Sequence, residues 1–316
     1  MTGPNGTGDG TVVGTGVGTG EDLGQLRQKI DAIDSQLHDL LMQRTELAVA
    51  VGAAKAAKQP LSGDSPAEGA KFIRPAREAK ILRRLTARHM GKLPKAVVVR
   101  MWREMISALL QVEGPFAVAV YAPASQPGFW DVARDHYGSR VKILTFSRVD
   151  RALSAVMDGS ATVAVLPFPR EDDTGPWWRR LVGSAQLPHV IARLPFGDPG
   201  NQRNPDLQAL VVGRTPTEPT DRDHSLLVLE TAEPVSRSTF RQALAGVGLT
   251  TSFIHGGRDN LDTDLNLVEV AGYVDGSDPR LGLVASSLGN GAKLHSIGSY
   301  AEPLTKEELA DEPSGH

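Results

Sequence analysis

Apolar residues near the start of the chain recur in alternating steps of four and three positions. The series occupies the positions Leu26, Ile30, Ile33, Leu37, Leu40, Leu47 and Val51, called the seam below. This spacing lines one side of a helix and is typical of helix packing. Arg44 holds the one position of the series that is not apolar. Because a guanidinium stays protonated in proteins, Arg44 must either reach solvent or meet an anion within the seam.

Apolar periodicity and its breakers predict three helices in the first third of the chain. The first runs from about 22 to 57 and is followed by a segment rich in Pro and Gly. The second starts near Pro75, whose fixed φ suits a first turn, and ends near residue 90. The third opens after Pro94 and stops at Gly114. At 1.5 Å per residue the first helix would be roughly 50 Å long, so we expect it to need a partner along its length.

Short apolar segments then alternate with helical ones from 116 to 168, which indicates a small parallel α/β unit. Two further strands are predicted at 189–194 and 207–213. From 225 to 299 the order is strand, helix, strand, strand, helix, strand, the βαββαβ arrangement of ferredoxin-like folds. The predicted fold is therefore multidomain, with a disordered Gly-rich tail (1–20), an all-α three-helix domain (21–114), an α/β region (115–223), a ferredoxin-like domain (224–305) and a flexible C-terminal tail (306–316).

Charge is distributed unevenly along a chain whose formal net charge is -3. Residues 21–115 hold sixteen Lys and Arg against eleven Asp and Glu, a balance of +5, so the remaining residues carry -8. The helical region is therefore suited to an anionic ligand. Its arginines are not bunched with interleaved aromatic residues, so nucleic acid is not expected as the partner.

Composition also narrows the compartment. The chain has no cysteine, so disulfides are excluded. It has no stretch of eighteen uncharged apolar residues, and its first residues lack the basic and apolar regions of a secretion signal. We therefore expect a cytoplasmic protein without membrane association.

Helical geometry relates three basic residues of the first helix. Arg44 and Lys55 are eleven residues apart, which is three turns, and share a helix face to within about 20°. One ligand can therefore lie between them. Arg27 lies seventeen residues from Arg44, roughly 25 Å away and about 100° around the helix. Arg27 can reach the same small molecule only from the antiparallel helix of a second subunit, in a twofold dimer.

These positions belong to a longer pattern that resembles the all-helical chorismate mutase family over about ninety residues. The matching segments are Leu26-Arg27-x-x-Ile30-Asp31-x-Ile33-Asp34, Leu40-Leu41-x-x-Arg44, Leu47-Ala48-x-x-Val51-Gly52-x-x-Lys55 and Arg74-Pro75-x-Arg77-Glu78. The resemblance implies an intertwined homodimer of three-helix subunits that converts chorismate to prephenate, in phenylalanine and tyrosine biosynthesis. It implies neither a cofactor nor a metal.

By position, the resemblance assigns roles to five side chains. Arg27 of the partner subunit and Arg44 would hold the two substrate carboxylates, and Lys55 would face the ether oxygen. Arg77 would extend the cationic wall, and Glu78 would accept a hydrogen bond from the ring hydroxyl. A pericyclic rearrangement needs a dianion held in a compact shape, with positive charge near the breaking carbon–oxygen bond. This set of side chains has the charges for that task.

Glu113 stands where the family commonly has a glutamine that contacts the ether oxygen. An ionised carboxylate would repel the charge that develops there and could not donate a hydrogen bond. We therefore expect Glu113 to act in its protonated form, with its pKa raised by burial, and activity to fall as the pH rises. Leu109 also departs from the family, which often has a small or hydroxyl residue there.

The order of the later elements resembles a prephenate dehydratase domain followed by an ACT domain. Pro167-Phe168-Pro169 stands where the dehydratase pattern has Glu-Asn-Ser, and Leu207-Gln208-Ala209 stands where it has Thr-Arg-Phe. The groups that would assist loss of water and carbon dioxide are absent, so we expect no dehydratase activity. The ACT-like part lacks the elements that bind phenylalanine in such domains. An aromatic amino acid effector, another small ligand and dimer contact therefore stay open as its role.

Two other functions stay open beside chorismate mutase. One is a bifunctional chorismate mutase/prephenate dehydratase, which would form phenylpyruvate from chorismate. The other is a catalytically idle protein that senses a ligand or binds a partner. The complete set of charges favours the mutase over the idle protein, because a scaffold would not need these charges together.

Overall fold

The computed structural model describes residues 22–57, 72–170, 176–184, 186–258, 264–289 and 291–311. For 55–57 and for 253, 254 and 256–258 it describes the backbone alone. The tail predicted over 1–20 lies outside the described residues. By its internal contacts the chain divides into two compact units, Met1–Ala54 and Lys55–His316.

A single helix makes up the described part of the first unit. α1 extends over Leu23–Ala57, in agreement with the helix predicted from about 22 to 57. The apolar side chains of the seam are exposed along its whole length, from 38% at Leu26 to 67% at Leu47. Because a lone helix in water gains little from burial, its stability depends on a partner that covers this seam.

Two helices open the second unit. α2 extends over Pro75–Arg88 and α3 over Lys95–Glu113. Each end lies within two residues of the predicted one. One face of this pair is buried, with Leu82 fully enclosed. That face packs against Phe196 and Leu304, which belong to the sheet-bearing part of the chain. α2 and α3 are therefore part of the same core as the residues that follow them.

The centre of the second unit is one sheet, whose described strands are β1 (Ala117–Tyr121), β2 (Lys142–Phe146), β3 (Val163–Pro167), β4 (His189–Leu194), β5 (Ala209–Gly213), β6 (Asp223–Thr231), β7 (Thr251–Arg258), β8 (Asp264–Ala271) and β9 (Lys293–Ala301). Their spatial order is β2-β1-β3-β5-β4-β9-β6-β8-β7. The helices between them are α4 (Gly128–Tyr137), α5 (Val149–Met157), α6 (Arg237–Gly246) and α7 (Pro279–Leu288). The predicted strands and helices are thus present in the predicted order.

The first half of the sheet contains the predicted parallel α/β unit. β1 pairs in parallel with both β2 and β3, whereas β4 and β5 extend the sheet in antiparallel fashion. α4 places Phe129 against one face of the sheet, and α5 places Leu153 against the other. The strand order therefore reverses beside β1, and the carboxyl ends of β1 and β3 border a crevice.

The second half has the predicted ferredoxin-like arrangement. β6, β7, β8 and β9 form an antiparallel sheet in the order β9-β6-β8-β7, with α6 and α7 on one face. The fully buried Phe240 and Val284 anchor these two helices against that face. The βαββαβ order read from the sequence is thus confirmed.

The two halves are joined edge to edge, which the sequence did not predict. β4 meets β9 in parallel at Val190 and Gly298. Gly298 has a φ of +137°, and a Cβ there would overlap the backbone of Val190. A 3₁₀ helix (Trp177–Leu181) adds Trp178 to a core cluster that also contains Leu226 of β6. The α/β region and the ferredoxin-like domain therefore share one sheet and one core.

The described end of the chain is helical where a flexible tail was predicted from 306. α8 extends over Lys306–Leu309 and begins with a capping box between Thr305 and Glu308. Arg222 donates to both carboxylate oxygens of Glu308, at 2.8 and 3.0 Å. These polar contacts hold a segment too short and too polar to show a helical pattern in sequence. Residues 312–316 lie outside the described residues.

Candidate active site

Two of the predicted substrate ligands lie on α1 with described side chains. Arg27 is exposed and Arg44 is half-buried. The helix continues without a break from Arg44 to Lys55, so the three-turn relation between these positions holds in the backbone. The side chain of Lys55 lies outside the described part. α1 thus carries three of the predicted basic residues.

Arg77 and Glu78 lie in the first turn of α2, where Pro75 opens the helix. Arg77 is exposed, whereas Glu78 is 8% exposed. An acidic residue in a first helical turn is favoured by the helix dipole. Adjacent residues point about 100° apart on a helix, so Arg77 and Glu78 face different surroundings.

Glu78 is engaged by a residue that the sequence analysis did not select. Nη1 of Arg103, on α3, donates to Oε2 of Glu78 at 2.7 Å. Arg103 is 6% exposed, and its guanidinium lies 5.1 Å from the ring centre of Phe196. Burial lowers the pKa of Arg103, and the charge of Glu78 works in the opposite direction. The predicted hydrogen bond from a substrate hydroxyl to Glu78 stays a prediction.

A sequence signal for Arg103 did exist. It follows Val99 by four residues and precedes Ile106 by three, so it interrupts an apolar row just as Arg44 interrupts the seam. The neighbouring apolar residues Val99, Ile106 and Leu110 are buried. The charge therefore sits within a packed face and needs an anion, which Glu78 supplies.

Glu113 and Leu109 lie in the last turns of α3. Glu113 is half-buried, and Leu109 is 8% exposed. The proposed protonation of Glu113 stays a prediction. The predicted site residues thus fall into two groups, with Arg27, Arg44 and Lys55 on α1 and Arg77, Glu78 and Glu113 on the next two helices.

A separate cleft of about 1140 Å³ lies at the carboxyl ends of β1, β2 and β3. Phe168 and Gln208, which replace residues of the dehydratase pattern, both line it. Its rim includes two ion-paired arginines: Arg148 pairs with Asp150 at 3.0 Å, and Arg203 pairs with Asp131 at 2.7 Å. The cleft is polar and charged. The positions that align with the dehydratase pattern nevertheless hold the ring of Phe168, two prolines and the amide of Gln208.

No described helix combines the length and apolar content that a bilayer crossing requires. Across the same described ranges, no group of three or more His, Cys, Asp or Glu side chains is placed to hold a metal ion.

Comparison with known proteins shows what the helical region is similar to. A family model described as chorismate mutase type II matches residues 26–114. The bifunctional chorismate mutase/prephenate dehydratase of Stutzerimonas stutzeri is 31% identical over 150 residues, which are 46% of this chain and 39% of that protein. The protein of the same description from Neisseria gonorrhoeae is 32% identical over 142 residues, 45% of this chain and 35% of its own length. Residues 26–114 are thus similar to the type II chorismate mutase family, and the chain spans less than two fifths of the length of these curated relatives.

Solved structures give a more distant likeness. The prephenate dehydratase from Streptococcus mutans is 16% identical, with 60% of this chain and 98% of that one covered, at a TM-score of 0.41. A prephenate dehydratase from Arthrobacter aurescens in complex with L-Phe is 15% identical, with 60% and 92% covered, at a TM-score of 0.43. Both TM-scores are below 0.5, and this likeness assigns no activity.

Proposed function

We propose that the protein is a chorismate mutase, which rearranges chorismate to prephenate without a covalent intermediate. The observation that carries the proposal is Arg44, a permanent cation within an exposed apolar seam, in the segment that matches the type II family. A seam of this kind calls for a helix partner, and a guanidinium within it can bind an anionic ligand at the interface. A dicarboxylate bound at a subunit interface fits both features.

The proposed assembly is a homodimer in which α1 of each copy covers the other. Besides the seam, α3 exposes a stripe of apolar residues, with Val97 at 42%, Met101 at 55% and Val112 at 54%. These residues recur at helical spacing on one side of α3, away from its buried face. Two exposed apolar stripes in one chain support a second copy as their partner. The distance of Arg27 from Arg44 along α1 is the reason to assign Arg27 to the site of the other subunit.

Within this dimer each side chain has a distinct task. Arg44 and the partner subunit's Arg27 hold the two carboxylates, and Arg77 adds positive potential. Lys55 and the protonated Glu113 donate to the ether oxygen as its bond to carbon breaks. Charge stabilisation at that oxygen, and a substrate held with its reacting carbons in contact, are the two means by which such a site lowers the barrier.

A bifunctional enzyme is the alternative, and the cleft at the carboxyl ends of β1, β2 and β3 is the observation that favours it. Its size is sufficient for a small molecule. Against it stand Phe168 and Gln208, which cannot supply the hydroxyl and guanidinium expected for loss of water and carbon dioxide. We therefore propose that the mutase reaction is the activity of this chain and that prephenate leaves unconverted.

The test is a chorismate-depletion assay on the purified full chain and on Arg44→Ala. We expect turnover by the wild type at acid and neutral pH, and its loss in the variant. Absence of turnover in the wild type under both conditions would overturn the proposal. Phenylpyruvate is measured in the same reactions, because its formation from chorismate would establish the bifunctional alternative.

The shared site is tested by subunit mixing. Arg27→Ala and Lys55→Ala should each be inactive alone, because each removes one side chain from both sites of the dimer. Mixed dimers hold one site with both changes and one with neither, so activity should partly return. Failure of this rescue, with subunit exchange verified by mass, would argue against a contribution of Arg27 across the interface.

A further inference from the structure

The ion pair of Glu78 and Arg103 is among the most enclosed charges of the second unit. The side chain of Arg103 is 7% exposed and that of Glu78 is 11% exposed, and the N–O distance is 2.7 Å. Withdrawing two charges from water is costly, so such a pair persists only where the geometry of the contact is good. It is therefore a costly way to join α2 and α3, which also share apolar contacts.

Arg103 is held from the side of the sheet. Phe196 follows β4, is 5% exposed and lies under the guanidinium at 5.1 Å. A cation over an aromatic face is attracted to it, and more strongly where water is excluded. The position of Arg103, and through it the position of Glu78, is thus fixed by residues outside the part that matches the mutase family.

Besides Arg103 itself, two titratable groups of α4 influence this pair. Arg103 faces Glu78 from α3, and His136 and Tyr137 of α4 interact electrostatically with one or both members. Burial, followed by the charge of Arg103, lowers the pKa of His136 well below its ordinary value, so this imidazole is neutral. Burial, followed by the charge of Glu78, raises the pKa of Tyr137. Of the three, only Arg103 offers positive charge to Glu78 at neutral pH.

The two carboxylate oxygens of Glu78 are used differently. Oε2 accepts the bond from Arg103, whereas Oε1 makes no hydrogen bond to any described residue. The side chain also keeps 11% of its surface exposed. A carboxylate oxygen has lone pairs for further donors, so Glu78 can be held through one oxygen and accept a ligand hydroxyl through the other.

We infer that Arg103 is a positioning residue of the mutase site, which holds Oε2 of Glu78 by a short hydrogen bond and leaves Oε1 to face the substrate hydroxyl. The inference rests on the proposed function. It also gives the sheet-bearing part of the chain a role in the reaction, because Phe196 supports Arg103. A group fixed before the substrate binds loses no freedom on binding, which is the advantage of such support.

The test compares Arg103→Gln with a matched control, Arg83→Gln. Arg83 also ties α2 to the later part of the chain, but it does so through oxygens of Thr220, Arg222 and Glu302 and makes no contact with Glu78. For Arg103→Gln we expect kcat to fall by about 10- to 100-fold, with a smaller change in KM. A buried carboxyl without its counter-charge favours protonation, so the activity of this variant relative to the wild type should increase as the pH rises. Arg83→Gln should lower the melting temperature but leave kcat and the pH profile unchanged.

Arg103→Lys and a double-mutant cycle complete the design. Lysine keeps the charge without the planar fork, so it should restore part of kcat. In a Glu78→Gln background, Arg103→Gln should have almost no further effect on kcat, because its action passes through Glu78. The double variant leaves no buried charge unpaired, so it serves the test even where Arg103→Gln alone does not fold.

These measurements distinguish failure of the inference on Arg103 from failure of the proposed function. If the wild type turns over chorismate but Arg103→Gln matches Arg83→Gln in kcat, KM and pH profile, Arg103 has only a structural role and the inference is wrong. Additive losses in the cycle would overturn it equally. If the wild type has no turnover, the proposed function itself fails.

Discussion

A charge placed in the seam of α1 is the sharpest perturbation of the proposed dimer. Leu37 lies near the middle of the seam and is 52% exposed in the single chain. Leu37→Glu puts a carboxylate where a second copy should bring apolar surface. The control is Gln28→Glu, which adds the same charge nine residues earlier, half a turn around the helix, at an exposed polar position.

The expected size of the effect follows from burial. Full burial of a leucine is worth about 1.5–3 kcal/mol, so covering the exposed half of Leu37 contributes about 1 kcal/mol per copy. A carboxylate that is partly desolvated in its place costs about 2 kcal/mol more per copy. In a twofold dimer the change occurs twice, for a total of roughly 6 kcal/mol, or about four orders of magnitude in Kd.

Sedimentation velocity at micromolar concentration measures the mass, and chorismate depletion in the same samples measures activity. We expect Leu37→Glu to be monomeric and inactive and Gln28→Glu to be dimeric and active. A Leu37→Glu protein that stays dimeric would show that the seam does not form the interface. A monomer with full activity would refute the shared site, whatever the assembly of the wild type.

Three further predictions concern the site, the acid stability and the join in the sheet. Glu113→Gln should hold its activity as the pH rises while the wild type loses it, because an amide donates a hydrogen bond at every pH; parallel profiles of kcat/KM would contradict this. Hydrogen bonds from Arg203 lower the pKa of Asp131 in the folded protein. The ionised Asp131 therefore stabilises the fold above the ordinary carboxyl pKa, and this contribution is lost as the pH falls through the pKa of Asp131 in the folded protein. Asp131→Asn should cost about 1–3 kcal/mol at neutral pH by urea unfolding and lose less than the wild type on acidification; an unchanged acid slope would count against the pair. Gly298→Ala should cost about 2–5 kcal/mol because its Cβ overlaps strand β4, whereas Gly282→Ala, with open space around it in α7, should not destabilise; equal melting temperatures would refute the close approach.

Individual helices and strands could be predicted because their apolar residues recur at the period of a helix or a strand. The bounds predicted for the strand at 189–194 are those observed for β4, and α1 differs by one residue at its start. The join between β4 and β9 could not be predicted in this way. It rests on the contact of Val190 with Gly298, two residues that are more than a hundred positions apart and leave no periodic trace.

The same limits apply to the candidate site. Arg44 could be selected because it interrupts a regular apolar series. Arg103 also interrupts one, but α3 is apolar on two sides, so a single charge on it does not stand out. Which side is buried within the chain is a property of the fold: Val99 is 6% exposed, whereas Met101 is 55% exposed.

A helix that is apolar on two sides requires two partners. On α3 the first partner is internal, since the side that carries Val99 and Arg103 packs against Phe196. The second side, with Val97 and Met101, is left for a surface from outside the chain. α1 has an apolar side as well, and every residue of its seam is exposed. α3 is therefore packed only towards the sheet, and this asymmetry is the physical reason to propose that a second copy covers its other side.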